Sequence, residues 1–209
     1  GMGLERLSMA LKGMKSTYEI EIFKSIMGDI SKISGKKYGT NNKIDIAFRV
    51  ISDHIRAVTF TISDGEIPSN NKAGYVIRRI LRRAIRYGFS TLNIKKPFLY
   101  KLVKNVVHEY KGIFKNLDDQ QTFIEKVILE EEKSFLNTLE KGLLRIDEIK
   151  NKFKSSSNVL DGKIVFELYD TYGFPYDLTA LIANENKIKI DKKGFEIELN
   201  KQKDRSRNV

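Results

Sequence analysis

Gly74-Tyr75-Val76-Ile77-Arg78-Arg79-Ile80-Leu81-Arg82-Arg83-Ala84-Ile85-Arg86 is the stretch whose reading decides the fold class. At 3.6 residues per turn, Val76, Ile77, Ile80, Leu81, Ala84 and Ile85 gather on one side of a helix. Arg78, Arg79, Arg82, Arg83 and Arg86, offset by one and four residues, gather on the other. Such a helix docks its apolar stripe on a domain and turns guanidinium groups outward. It is expected over about residues 73–87, with Gly88 as the glycine that stops it.

The same period extends in both directions. Upstream, Leu4, Leu7 and Leu11 mark a short first helix after a glycine-containing turn, and Ile22, Phe23, Ile26, Met27, Ile30 and Ile33 mark a second. A polar loop over 35–42 leads to a third helix at about 44–62, which ends at Asp64-Gly65. Downstream, Pro97 fits the first turn of a helix through Leu102, Val103 and Val106. Phe123, Val127, Phe135, Leu139, Leu143 and Ile146 keep helical spacing through about 117–153, which predicts one long helix kinked near Gly142. A serine-rich linker is expected at 154–158. Beyond it come a short helix at 163–169, a turn at 170–175, a helix to about 184, a strand-like Ile188-Lys189-Ile190 and a charged last helix. The fold class is mainly α, a multi-helix domain with one long helix and at most a short strand.

Composition limits the function classes. Among 209 residues, 38 are Lys or Arg against 27 Asp or Glu, a net charge of +11, which favours a polyanionic partner. No apolar run approaches the roughly 18 residues of a membrane-spanning helix and no signal core opens the chain, so a cytoplasmic protein with no membrane partner is expected. With no Cys and only His54 and His108, no zinc site is expected within the chain.

No acidic residue stands between Asn70 and Lys104, so the arginines lack carboxylates nearby in sequence. Arg suits phosphate because its planar fork bonds two oxygens at once, and the five arginines are candidate phosphate contacts. A solvated face with distant intramolecular partners is the competing reading. Asp64-Gly65-Glu66-Ile67-Pro68-Ser69-Asn70 lies immediately before the arginines, and Ser69 or Asn70 is suited to cap that helix. Tyr169-Asp170-Thr171-Tyr172-Gly173-Phe174-Pro175 is a second polar turn, in which Asp170 is equally explained by bonds to backbone amides. Phosphate-binding loops of the G-x-x-x-x-G-K-S/T kind, H-E-x-x-H and nucleophile elbows are missing. His54, beside Asp53 on an apolar helix, reads as structural.

Taken in order, these stretches resemble the alanyl-tRNA synthetase family. Gly1-Met2-Gly3-Leu4-Glu5-Arg6-Leu7 is similar to the third class II signature motif in its alanine-specific form. Arg49-Val50-Ile51-Ser52-Asp53-His54-Ile55-Arg56, Ser63-Asp64-Gly65, Pro68-Ser69-Asn70 and the arginine stretch follow. Leu160-Asp161-Gly162 and Phe166-Glu167-Leu168 through Pro175 close the series. The resemblance spans nearly the whole chain, and its last two blocks are highly specific.

The resemblance implies an edge of a class II catalytic domain at residues 1–14, a first part of a tRNA-recognition domain at 15–154 and a second at 155–209. It implies ATP-dependent attachment of alanine to tRNA(Ala). Arg6 would bind the terminal phosphate of ATP, while Asn70 and Asp170 would meet across a groove and read a G·U wobble pair in the acceptor stem. A wobble pair leaves the guanine 2-amino group unpaired in the shallow minor groove of RNA, within reach of side chains. ATP and Mg belong to the parent enzyme, with none expected on this segment. The other catalytic motifs and an editing domain with a zinc site are expected outside it, so the segment alone is expected to be inactive. Two other readings are a helical RNA-binding module without tRNA(Ala) preference and a structural scaffold.

Overall fold

The computed structural model describes residues 3–152 and 158–207. The expected linker and the 154/155 boundary thus fall almost wholly outside the described residues, as do Gly1 and Met2. The chain forms two compact units, Gly1–Lys133 and Ser134–Val209, and among the described residues its regular structure is helical apart from one pair of two-residue strands.

In the first unit, α1 (Leu4–Leu11) has no buried residue, and Leu4 and Leu11 are 64% and 79% exposed. The core is built from α2 (Glu21–Ser34), α3 (Asn42–Ser63), α4 (Lys72–Ser90), α5 (Val103–Glu109) and the first part of α6 (Lys115–Lys152). Their inward stripes meet through Phe23, Ile26 and Ile30, then Phe48, Ile51 and Ile55, then Leu81 and Ile85, all buried. Each such side chain contributes about 1.5–3 kcal/mol relative to exposure, which is what holds these helices together. Local chemistry sets the ends. Asn41 caps α3 by accepting the Ile44 N–H at 3.0 Å, and Gly35 closes α2 at φ 67°, a left-handed conformation that glycine adopts without strain.

Two sequence expectations change here, at Gly88 and Pro97. Gly88 does not stop α4, which continues to Ser90; a Cβ on Gly88 would lie 2.4 Å from the Phe98 ring, so this glycine makes room for a neighbour. Pro97 precedes a 3-10 turn over Leu99–Leu102, and α5 begins only at Val103. Gly142 sits inside α6, as expected of the long helix, and its missing Cβ accommodates the Phe174 ring.

In the second unit, the rest of α6 is followed by β1 (Val159–Leu160), α7 (Gly162–Asp170), α8 (Tyr176–Glu185), β2 (Lys189–Ile190) and α9 (Lys192–Arg207). β1 and β2 pair in parallel, Val159 opposite Lys189 and Leu160 opposite Ile190, which the helical connection between them permits. α7 and α9 approach so closely at Gly162 that a Cβ there would lie 2.3 Å from the backbone of Gly194 and Phe195.

Candidate nucleic-acid interface

The five arginines do not share one environment. Arg78, Arg79, Arg82 and Arg83 are half-buried, whereas Arg86 is only 7% exposed and has its guanidinium 5.1 Å from the centre of the Tyr87 ring. On the apolar side the expectation also shifts, because Val76 is 41% exposed and the inward stripe is Ile77, Leu81, Ala84 and Ile85.

Glu131 supplies the acidic partner that the sequence around the arginines lacks. This carboxylate, on α6, is 9% exposed and accepts from Arg78 Nε at 3.2 Å and from Arg82 Nε at 2.7 Å. Arg82 Nη2 lies 2.6 Å from the same group. Arg78 then spends its other nitrogens on the preceding loop, with Nη1 donating to Asn70 Oδ1 and Nη2 to the Pro68 carbonyl at 3.4 Å. One carboxylate, 53 and 49 residues away in sequence, therefore engages both Arg78 and Arg82. Glu131 lies three residues after Ile128 and four before Phe135, on the inward stripe of α6. A carboxylate at that register was the legible sign of a buried partner.

Glu132, the next residue, is fully buried and anchors a different segment. It accepts the Phe98 N–H at 2.8 Å and the Leu99 N–H at 3.0 Å. Burial pushes its carboxyl up to about 7, because the backbone amide donors of Phe98, Leu99 and Tyr100 only partly offset the loss of water.

Neither Ser69 nor Asn70 caps α4. Asn71 occupies the cap position without a side-chain bond, Ser69 Oγ bonds the Asn71 backbone, and Asn70 turns to Arg78. The loop is pressed against the helix at Gly74, where a Cβ would stand 2.2 Å from Ser69 Oγ and 2.5 Å from the Ile67 carbonyl. Asn70 stays exposed.

Asp170 belongs to the second unit and is the last residue of α7 rather than part of the turn. It is exposed and accepts from the side-chain amide of Gln202 on α9. A carboxylate at the negative end of a helix dipole is unfavourable for the helix, and it creates an electronegative spot suited to an amine. Behind it, Phe174 is fully buried against Phe135, with centroids 5.8 Å apart, and Thr138 Oγ1 donates to the Tyr172 carbonyl at 2.8 Å.

Arg6 is exposed in the first turn of α1. Its neighbour Glu5 instead pairs with Arg56 at 2.5 Å. His54 Nδ1 lies 3.5 Å from Asp53, a contact that holds the Asp53 carboxyl below its usual range. Among the described residues no cluster of three His, Cys, Asp or Glu could hold a metal ion, and no helix is long and apolar enough to cross a membrane.

The family model for class II (A) tRNA synthetases matches residues 1–209, and the chain belongs to that family. It is 54% identical over 209 residues to the alanine–tRNA ligase of Christiangramia forsetii. It is 51% identical over 210 residues to that of Cytophaga hutchinsonii, and 48% identical over 210 to that of Porphyromonas gingivalis. Each alignment takes in all of this chain and 24% of the relative, so the chain spans about a quarter of the length of the relatives it matches.

Proposed function

We propose that this chain is the tRNA-recognition portion of a cytoplasmic alanine–tRNA ligase, and that it reads a G·U wobble pair in the acceptor stem of tRNA(Ala). The observation that carries this reading is identity of about one half to alanine–tRNA ligases along the entire chain. Two features support the finer part. An exposed amide, Asn70, stands at the foot of a helix rich in arginine, and an exposed carboxylate, Asp170, stands at the negative end of a helix dipole.

In this reading the arginine face of α4 sets the register on the phosphates, and Asn70 and Asp170 supply identity. Glu131 already balances part of the charge that this face carries at Arg78 and Arg82, and Arg86 is buried. Asp170 accepts from the guanine 2-amino group, exchanging Gln202 for the base. A Watson–Crick G·C pair presents only one hydrogen of that amine and holds it at a different position, so a carboxylate placed for the wobble geometry loses a well-aligned bond at a cost of roughly 1–3 kcal/mol. Arg6, an exposed guanidinium, has the donor chemistry to hold an ATP phosphate. ATP with Mg supplies the activation of the alanine carboxylate when bound, and the remaining catalytic and editing domains of the same polypeptide are the chain's other partners.

The test is charging by the full-length enzyme of paired minihelices that differ only at the wobble position. Asp170→Ala is expected to narrow the gap between G·U and G·C stems by about tenfold, the size of one lost discriminating bond. A common reduction of both stems would make Asp170 a structural residue and remove the recognition model.

A further inference from the structure

We propose that Glu131 and Arg78 are positioning residues for base reading, which fix the Asn70 side chain in a single orientation. This inference rests on the assignment of Asn70 to the wobble pair. An asparagine amide has two unlike ends, an acceptor oxygen and a donor NH2, which a short rotation exchanges. An exposed asparagine presents both in turn, and a site that reads one base-pair edge needs only one of them.

Arg78 removes the ambiguity. A guanidinium has donors and no acceptor, so the end of Asn70 that meets Arg78 Nη1 is the oxygen. The NH2 then faces away from the arginine, and no protein hydrogen bond to it is found among the described residues. Asn70 is thereby a fixed donor, matched to an acceptor on the base-pair edge or to a ribose hydroxyl oxygen.

The arginine is itself held. Glu131, nearly buried, grips Arg78 Nε at 3.2 Å, and its other oxygen is bound to Arg82 at 2.7 Å. Both carboxylate oxygens are engaged, so the group cannot swing without breaking a charge-assisted bond. Pro68 completes the frame, since its carbonyl accepts from Arg78 Nη2 and ties the loop backbone to the same guanidinium. The order of support runs from a buried carboxylate on α6, through an arginine on α4, to an exposed amide in the loop between α3 and α4. Arg78 acts here through its fork geometry, and its positive charge is only partly balanced, because Glu131 is shared with Arg82.

The experiment measures charging of G·U and G·C minihelices by the full-length enzyme carrying Asn70→Ala, Arg78→Lys, Glu131→Gln or Asn70→Ala with Glu131→Gln. Lys keeps the charge beside Glu131 and lacks the second nitrogen that reaches Asn70. Gln keeps the size of Glu131 and can accept through only one of its ends, which guards against simple unfolding. Asn70→Ala is expected to cut the G·U over G·C ratio about tenfold, and Arg78→Lys and Glu131→Gln each at least about fivefold. The double variant should lose no more than Asn70→Ala alone, because the two changes remove one function. If Asn70→Ala collapses the ratio while Arg78→Lys and Glu131→Gln lower both stems by a common factor, the positioning role is overturned and the base reading stands. If Asn70→Ala leaves the ratio intact, the base reading itself falls and this inference with it.

Discussion

The loop before α4 and the end of α7 each present one exposed polar side chain, yet the two are braced by different means. Asn70 is surrounded by polar supports: Arg78, the shared Glu131, and a backbone pressed against Gly74. Asp170 is supported by packing: Phe174 plugs the space over Gly142, Gly173 turns the chain at φ 67°, and the Phe174 N–H returns to the Leu168 carbonyl at 2.9 Å. The difference follows from the two functional groups. A carboxylate has two equivalent oxygens, so holding the backbone of the helix end suffices. An amide must have its orientation chosen, and only directional bonds choose it.

The comparison breaks first at its apolar side. Phe174→Ala empties the space facing Phe135 and should cost about 3–5 kcal/mol of local stability, the usual range for a buried phenylalanine. Hydrogen exchange of the α7 and α8 amides in the intact protein reads the loss. Exchange accelerated less than about tenfold would show that the plug is not what supports the Asp170 end.

A response to pH is expected at Glu132, which follows Glu131 in sequence but anchors residues 98–99 rather than the Asn70 loop. Its carboxyl is raised from 4.5 to about 7 in the fold. Between those values the folded form holds a proton that the unfolded chain has released. Its contribution is therefore complete below about pH 4.5 and is lost as pH rises through 7, by on the order of 3 kcal/mol. Exchange protection at Phe98 and Leu99, corrected for intrinsic rates, should fall from pH 5 to pH 7.5. Glu132→Gln, neutral throughout, should flatten that fall, and an identical slope in the variant would remove Glu132 as its source.

The smallest effect is expected at Gln202. Its amide on the partly exposed α9 is the protein partner of Asp170, and Gln202→Ala should change stability by no more than about 0.5 kcal/mol. Charging of the G·U minihelix should be unchanged or improved, since the base amine no longer displaces a competitor. A clear loss would mean that Gln202 belongs to the recognition surface.

Helix positions were legible because burial imposes a period on each segment by itself. The 38-residue α6 follows from the spacing of Phe135, Leu139 and Ile146, and the arginine stretch follows from Ile77, Leu81 and Ala84. The glycines were less legible, since Gly88 and Gly142 resemble a stop and a kink in sequence and serve as clearances for Phe98 and Phe174 in the fold. Their neighbours lie 10 and 32 residues away, beyond any local signal. β1 was missed for the same reason, as its partner strand stands 30 residues downstream.

By itself the sequence determined the helical class, the basic face of α4, the placement of Asn70 before it and the turn around Asp170, because propensity, period and turn chemistry are local properties. Only the tertiary structure decided which arginines are engaged and which way the Asn70 amide points. Those outcomes depend on Glu131, a carboxylate that α6 delivers to α4 from 53 residues away, and a charge acquires its partner only when the helices pack.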